Sequence, residues 1–337
     1  MRAPTASIDC TDAPVDAALE LAGRFGRGDR LVVDAPACPD HAHHVAVEFV
    51  HPVVAGARPL PALVASPHDP PGTGDCRLTI GHDPIADLTI SDALDDAEIM
   101  RSYHLLWELV QVCLEHPGLV GVAAGDGGDS TGFLYPFLDA SESDEAALRD
   151  ALTSSASAKR SESGDVATQA LDRNSGEIES VAATICDAVA HGGRVFTIGN
   201  GGSSTDAARL ARTLRRIDVD ARSLAADYAV LSALANDLGA GRIFARQLEA
   251  FARPGDVIVA CSTSGASANL LAAFDYADSH GMVAVGISGY GGGGFAHHVG
   301  VDHCLVVDST SVHRIQEGQA AIITSLCQWI DRIGART

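Results

Sequence analysis

The sequence predicts an α/β protein in which a parallel sheet is flanked by helices on both faces, whole in the second half of the chain and shortened in the first. Three observations carry this. Short β-branched runs alternate with amphipathic helical segments through the second half. Glycine- and hydroxyl-rich turns stand at strand-to-helix junctions. The helix-into-strand stretch AHGGRVFTI (Ala190 to Ile198) is echoed by FGRGDRLVV (Phe25 to Val33), which indicates an internal duplication.

In the second half the expected strands are Arg194 to Ile198, Val257 to Cys261, Met282 to Ile287 and Cys304 to Val307, all apolar runs of the kind buried on both faces. Between them Ala268 to His280 places Leu270, Leu271, Phe274 and Ala277 at helical spacing, and Ile315 to Ile333 reads as a long final helix. Alternation of strand and helix demands parallel strands joined by crossovers. In the first half, Val15 to Phe25 is an amphipathic helix leading to the strand within GRGDRLVVDAP. A helix at His41 to Phe49, a strand at Asp87 to Ile90 and a helix at Ile99 to Glu115 follow. The stretch SPHDPPGTGDC (Ser66 to Cys76) interrupts this half as a loop. Between residues 139 and 168 the chain becomes rich in Ser, Ala, Asp and Glu, and is expected to be a linker containing a short helix. The expected domains are therefore 1–138, a truncated copy, and 169–337, the full one, with 139–168 between them.

The 337 residues are too many for one ordinary domain and suit two of roughly 100–200 each. A hydrophobic content of 46% suffices for a packed core. A formal net charge of −21 argues against nucleic acid or an anionic membrane as partner, since both select basic surfaces. It leaves room for a small phosphorylated ligand, which needs only a local pocket of donors. The eight cysteines form no CxxC pair and are expected to be free thiols of a reducing compartment. No apolar run has the length of a signal-peptide core or a membrane span, so the expected location is the cytoplasm.

Two turns are suited to anions. Gly199-Asn200-Gly201-Gly202-Ser203-Ser204-Thr205-Asp206 opens directly into a helix, where glycines let backbone N–H groups approach a phosphate and the helix terminus adds positive partial charge. Ser262-Thr263-Ser264-Gly265-Ala266-Ser267 is the second, after the next long strand. In a parallel sheet both lie at the carboxyl ends of strands, where ligands bind. Each turn alone is also what an ordinary capped helix start looks like.

These stretches, together with LANDLGAGRIFARQLEAFARPGDVIV, STSGASANLLAAFDYADSHGM and RIQEG, resemble the SIS (sugar isomerase) domain, and within it the phosphoheptose isomerase family. The resemblance runs from about Leu171 to Ile333. It implies a three-layer α/β/α sandwich with a five-stranded parallel sheet, and a homodimer or homotetramer with sites at subunit interfaces. It also implies that Asn200, Gly201, Gly202, Ser203, Asn236, Asp237, Ser262, Thr263, Ser264 and Ser267 contact a sugar phosphate, with Gln316 at a position that meets substrate and zinc. Three positions depart from the family pattern. Arg209 stands where such isomerases place a zinc-binding histidine, Thr213 where they place a catalytic glutamate, and Thr324 where they place a second histidine. By itself the second half is therefore expected to be a binding domain.

The missing groups stand upstream. In HHVAVEFVHPV (His43 to Val53), His44 and Glu48 are four residues apart, so they project from one helix face with Cβ atoms about 5–6 Å apart, able to meet one metal ion or one substrate carbon. In SYHLLWELVQVCLEHPG (Ser102 to Gly118), His104 stands near the start of an apolar helix. Both stretches are similar to motifs of actinobacterial-type phosphoheptose isomerases, over Val15 to Pro52 and Asp87 to Leu119. The resemblance makes His44, Glu48 and His104 zinc ligands, Glu48 and His104 the catalytic base and acid, and Asp96 a further zinc ligand. This half carries Asp34-Ala35-Pro36-Ala37-Cys38 where the phosphate loop would stand, and its central hydroxyl-rich region is expected to be deleted between Pro67 and Leu88. His41 and His43 are expected to be exposed and receive no role. Three functions remain open: an isomerase of a seven-carbon sugar phosphate, a non-catalytic sugar-phosphate-binding protein with a regulatory or assembly role, or a structural protein that uses the fold as a scaffold.

Overall fold

A computed structural model of the chain describes residues 7–52, 58–67, 71–72, 74–115 and 145–335. It divides into two compact units, Met1–Glu162 and Ser163–Thr337.

The first unit runs β1 (Ile8–Asp9), α1 (Pro14–Gly26), β2 (Leu31–Asp34), α2 (Pro39–Val50), β3 (Ala62–Val64), β4 (Cys76–Ile80), β5 (Leu88–Ile90) and α3 (Asp96–Glu115). Its sheet is wholly parallel, in the order β1-β5-β4-β2-β3. Proline at the first helical turn starts both α1 and α2, where its missing N–H is no loss. Helix α1 buries Val15, Ala18, Leu21, Ala22 and Phe25, the face that the sequence pattern marks.

The expected deletion is narrower than the sequence suggests. Strand β4 occupies part of it and lies beside β2, with Val33 opposite Leu78. No crossover helix stands between these strands: β4 reaches β5 through residues 81–87 alone, where a parallel connection ordinarily takes a dozen or more.

The second unit runs β6 (Val195–Gly199), α5 (Gly202–Arg216), β7 (Ala221–Ser223), α6 (Tyr228–Leu238), α7 (Ala245–Phe251), β8 (Val257–Ser262), α8 (Ala268–Ser279), β9 (Val283–Ser288), β10 (His303–Val306) and α9 (Val312–Gly334). Its parallel sheet has the order β10-β9-β8-β6-β7. Alternate residues of its central strands enter two separate cores. Val257, Val259 and Cys261 pack with Ile185, Leu210, Leu214, Ile322 and Leu326 on one face. Ile258 and Ala260 pack with Leu248, Leu270, Phe274 and Phe295 on the other. This is the three-layer sandwich the sequence predicts.

Set side by side, β5-β4-β2-β3 matches β9-β8-β6-β7, which is consistent with two copies of one fold. The edge place held by β10 in the second unit, the last strand of the chain, is filled in the first by β1, from the amino-terminal side.

Helix α4 (Glu145–Ala190) corrects the reading of the linker: residues 145–168 belong to one helix of 46 residues that continues into the second unit. Alanine, glutamate, arginine and lysine all favour helix, which outweighs the polar composition. Leu152, Ala156, Ser163, Ala170, Asn174, Ile178, Val181 and Ile185 are its buried stripe, at helical spacing. The two units divide within that stretch, while residues 116–144, including the expected domain end at 138, lie outside the described residues.

Candidate functional site

In the first unit α2 and α3 carry the reactive side chains. Helix α3 begins at a reciprocal cap in which Glu98 N–H donates to Asp95 Oδ1 at 2.8 Å and Asp95 N–H donates to Glu98 Oε2 at 3.2 Å. That fixes where the helix starts and hence where His104 falls along it. His104 Nε2 lies 3.4 Å from His44 Nε2, and His44 Nε2 lies 3.5 Å from Glu48 Oε1. The three side chains are buried, at 0%, 1% and 4% exposure, and their ligand atoms all fall within 4.8 Å of one another. Tyr103 packs its ring against both imidazoles, with centroids 5.2 Å from His44 and 5.0 Å from His104.

This geometry fits a metal. Ligand nitrogens or oxygens about 2.0–2.1 Å from a tetrahedral zinc ion stand about 3.3 Å apart, close to the two separations seen here. Two imidazoles and a carboxylate form a donor set suited to zinc. Burying such groups costs free energy that a bound cation would offset.

Asp96 does not join this group. Its Oδ1 lies 3.0 Å from Nε2 of His41, and the two cluster with Cys38. His41, expected to be exposed, is buried at 1%, because α3 covers that face of α2 and presents Asp96 to it; His43 is exposed as expected.

The second unit places the two turns side by side at the carboxyl ends of adjacent strands β6 and β8. Gly201 sits at the N-cap of α5 with φ +53°, a conformation in which glycine is unstrained and offers no side-chain acceptor, so an anion is the natural cap. Gly199 is held so close to the following backbone that a Cβ there would lie 2.2 Å from the Ser203 carbonyl oxygen. Asn200 and Asn269 exchange side-chain amide hydrogen bonds of 3.0 and 2.9 Å, which ties one turn to the other. In the second turn Ser262 Oγ accepts from Gly265 N–H at 3.0 Å, while Thr263 is partly exposed and Ser264 exposed. Ser267 is the N-cap of α8 and Ser203 is buried in the first turn of α5. Asn236 and Asp237 are exposed near the end of α6 and hydrogen-bond to each other at 2.7 Å. Gln316 is buried on α9 at 2% exposure.

Arg209, at the position for which the resemblance implies a zinc-binding histidine, is buried and paired with Asp206 at 3.1 Å. Burial, with Asp206 adding to it, pushes the neighbouring Cys261 thiol far up, so it stays protonated. Burial likewise holds Cys76 and Cys113 up to about 12.

Two supports escaped the sequence reading. Gln319 donates to the carbonyls of Ser262 (2.9 Å) and Ile287 (3.3 Å), binding α9 to the strand ends. The run Gly289 to Gly294 buttresses the second turn: a Cβ on Gly293 would lie 2.0 Å from the Ser264 carbonyl oxygen. Five glycines in six residues next to a strand end were the available signal.

Known proteins resemble the chain in the same way. The SIS domain family matches residues 160–289. Phosphoheptose isomerases of Roseiflexus sp. (strain RS-1) and Geotalea daltonii are 36% and 40% identical, over 50% and 46% of this chain and 87% and 83% of theirs. The structure of phosphoheptose isomerase from Neisseria gonorrhoeae matches with a TM-score of 0.52 and 30% identity, covering 54% of this chain and 99% of that one. The C-terminal domain of glucosamine-fructose-6-phosphate aminotransferase from Francisella tularensis matches 96% of this chain and 94% of its own, at a TM-score of 0.58 and 11% identity, a likeness of fold alone. Fold, turns and matches together define an α/β protein of the SIS class. The chain belongs to the phosphoheptose isomerase family. Among the described residues no helix is long and apolar enough to cross a membrane.

Proposed function

We propose that the protein is an isomerase interconverting sedoheptulose 7-phosphate and a heptose 7-phosphate, the second unit gripping the phosphate and the first supplying the acid–base groups. The observation that carries this reading is the convergence of His44, Glu48 and His104 in a unit whose first strand-to-helix turn, Asp34 to Cys38, contains no glycine. The second unit has the opposite endowment: two anion-ready turns, with Arg209, paired to Asp206, at the position of the zinc-binding histidine and Thr213 at that of the catalytic glutamate.

Aldose–ketose isomerisation moves one proton between neighbouring carbons through an enediol. The Glu48 carboxylate removes the proton from the carbon beside the carbonyl and returns it to the other carbon. The His104 imidazole passes the second proton between hydroxyl and carbonyl oxygens. A zinc ion held by His44, Glu48 and His104 would polarise the sugar carbonyl. Backbone N–H groups at Gly201, Gly202 and Ser203, with the hydroxyls of Ser262, Thr263, Ser264 and Ser267, hold the phosphate. Gln316, Asn236 and Asp237 orient the sugar. A homodimer or homotetramer in the cytoplasm belongs to the same reading, supported by α6, which has no buried residue and leaves Tyr228 85% exposed.

Conversion of sedoheptulose 7-phosphate by purified protein, before and after chelation and after zinc is restored, tests this. Turnover that follows the metal is the expected result, and no turnover under metal-replete conditions rejects it.

The buried Arg209–Asp206 pair, together with the enclosure of His44 and His104, favours a second reading, a sugar-phosphate receptor without catalysis. It predicts ligand-induced thermal stabilisation, no turnover, and indifference to Glu48→Gln.

A further inference from the structure

The first unit holds a second group of metal-ligating side chains, Cys38, His41 and Asp96, whose ligand atoms all lie within 4.8 Å of one another. We infer that these three residues bind a zinc-class divalent cation at a site separate from His44, Glu48 and His104.

The two groups repeat one plan. Each takes two ligands from the α2 segment (Cys38 and His41, then His44 and Glu48) and one from α3 (Asp96, then His104). Thiolate, imidazole and carboxylate is a set that zinc accepts and that hard cations such as magnesium do not. Cys38 is the N-cap residue of α2, three positions before His41, and its ligand atom lies within 4.8 Å of those of His41 and Asp96. His41 is 1% exposed, whereas Cys38 and Asp96 are partly exposed, so an ion can enter and a water can complete the coordination. The His41 Nε2 to Asp96 Oδ1 distance of 3.0 Å suits two ligands of one ion.

The two sites stay mononuclear. The ring of Tyr103 packs against both histidines, 5.9 Å from His41 and 5.2 Å from His44 between centroids. Along α2 the centres of the two ligand pairs are about six residues apart, or roughly 10 Å at 1.5 Å per residue. Paired catalytic metals stand about 3.5–4 Å apart, so no bridging ligand joins these two. The outer ion clips the start of α2 to the start of α3 and thereby holds His44 and Glu48 against His104. This inference concerns ion binding and stands whether or not the protein is an isomerase.

The test is a cobalt(II) titration of metal-free full-length protein, read by visible and near-ultraviolet absorption and by bound-metal analysis. Two ions per chain are expected, one of them giving a thiolate-to-cobalt charge-transfer band. Cys38→Ser and Asp96→Asn each reduce the stoichiometry to one, and Cys38→Ser abolishes that band. A double variant, His44→Ala with His104→Ala, keeps one ion and the band. Circular dichroism confirms that each variant is folded, and any variant that is not is replaced by alkylation of Cys38 in the wild type, which should remove the same ion. A single ion without a thiolate band, unaffected by the change or alkylation at Cys38, overturns the inference.

Discussion

Replacing Gly199 by alanine tests whether the first turn is built for close approach. The new methyl would lie 2.2 Å from the Ser203 carbonyl oxygen, 2.6 Å from the Ser203 carbonyl carbon and 3.0 Å from the Ser204 nitrogen. All three atoms are backbone, so no side chain can swing away, and relief requires the start of α5 to move by about 1 Å to reach ordinary contact distances. Overpacking of this kind costs about 1–3 kcal/mol. For a unit of this size, melting temperature falls by about 2–4 °C per kcal/mol, so a loss of about 2–12 °C is expected. Gly201→Ala is the comparison: nothing lies within 4 Å of its Cβ, so only its backbone conformation, φ +53° with ψ −127°, is strained, at about 1–3 kcal/mol. Melting curves with and without sedoheptulose 7-phosphate read both quantities. Gly199→Ala should lose stability and most of the ligand-induced shift. A variant that melts with the wild type and keeps the full shift refutes the reasoning.

Asn174→Leu removes the hydrogen bonds that its amide makes with Ala170 O, Val306 O and Val306 N at the sheet edge. Its denaturation midpoint should fall by the equivalent of about 2–4 kcal/mol with an unchanged slope. The Asp75 carboxyl is held below its usual range chiefly by hydrogen bonding to Arg30. A lowered folded pKa means that stability is present above the unfolded value near pH 4 and is lost as pH falls through the folded one. Asp75→Asn should therefore lower stability at neutral pH and flatten the acid side of the stability curve, which urea titrations from pH 2 to 7 measure. His44→Ala and His104→Ala should each weaken zinc binding by at least tenfold in a competition with a chromogenic chelator.

Much of the second unit is legible because its central strands are unbroken apolar runs. Val257–Ser262 is buried at every position, and only a strand covered on both faces looks like that. The strands that escape notice are short or mixed. Ile8–Asp9 has two residues, Ala221–Ser223 exposes its central arginine, and Cys76–Ile80 carries Arg77. Their pairing comes from neighbours far away in the chain, which no local pattern records. The site divides in the same way. His44 and Glu48 follow from helical spacing, and His104 from its motif, but the company of Asp96 is decided by how α3 lies on α2. Spacing along one helix cannot tell which turn of a second helix it faces. Helix α4 was hidden by its composition, since small and polar residues such as Ala156, Ser163 and Ala170 fill its buried stripe.

The central claim assigns binding and chemistry to different units, and Glu48→Gln separates them most directly. Glutamine is nearly isosteric with glutamate but cannot carry a proton between carbons. Measured on one preparation with zinc restored, the variant should bind sedoheptulose 7-phosphate within about threefold of the wild type and lose turnover by about a hundredfold or more. Turnover equal to that of the wild type would contradict the account.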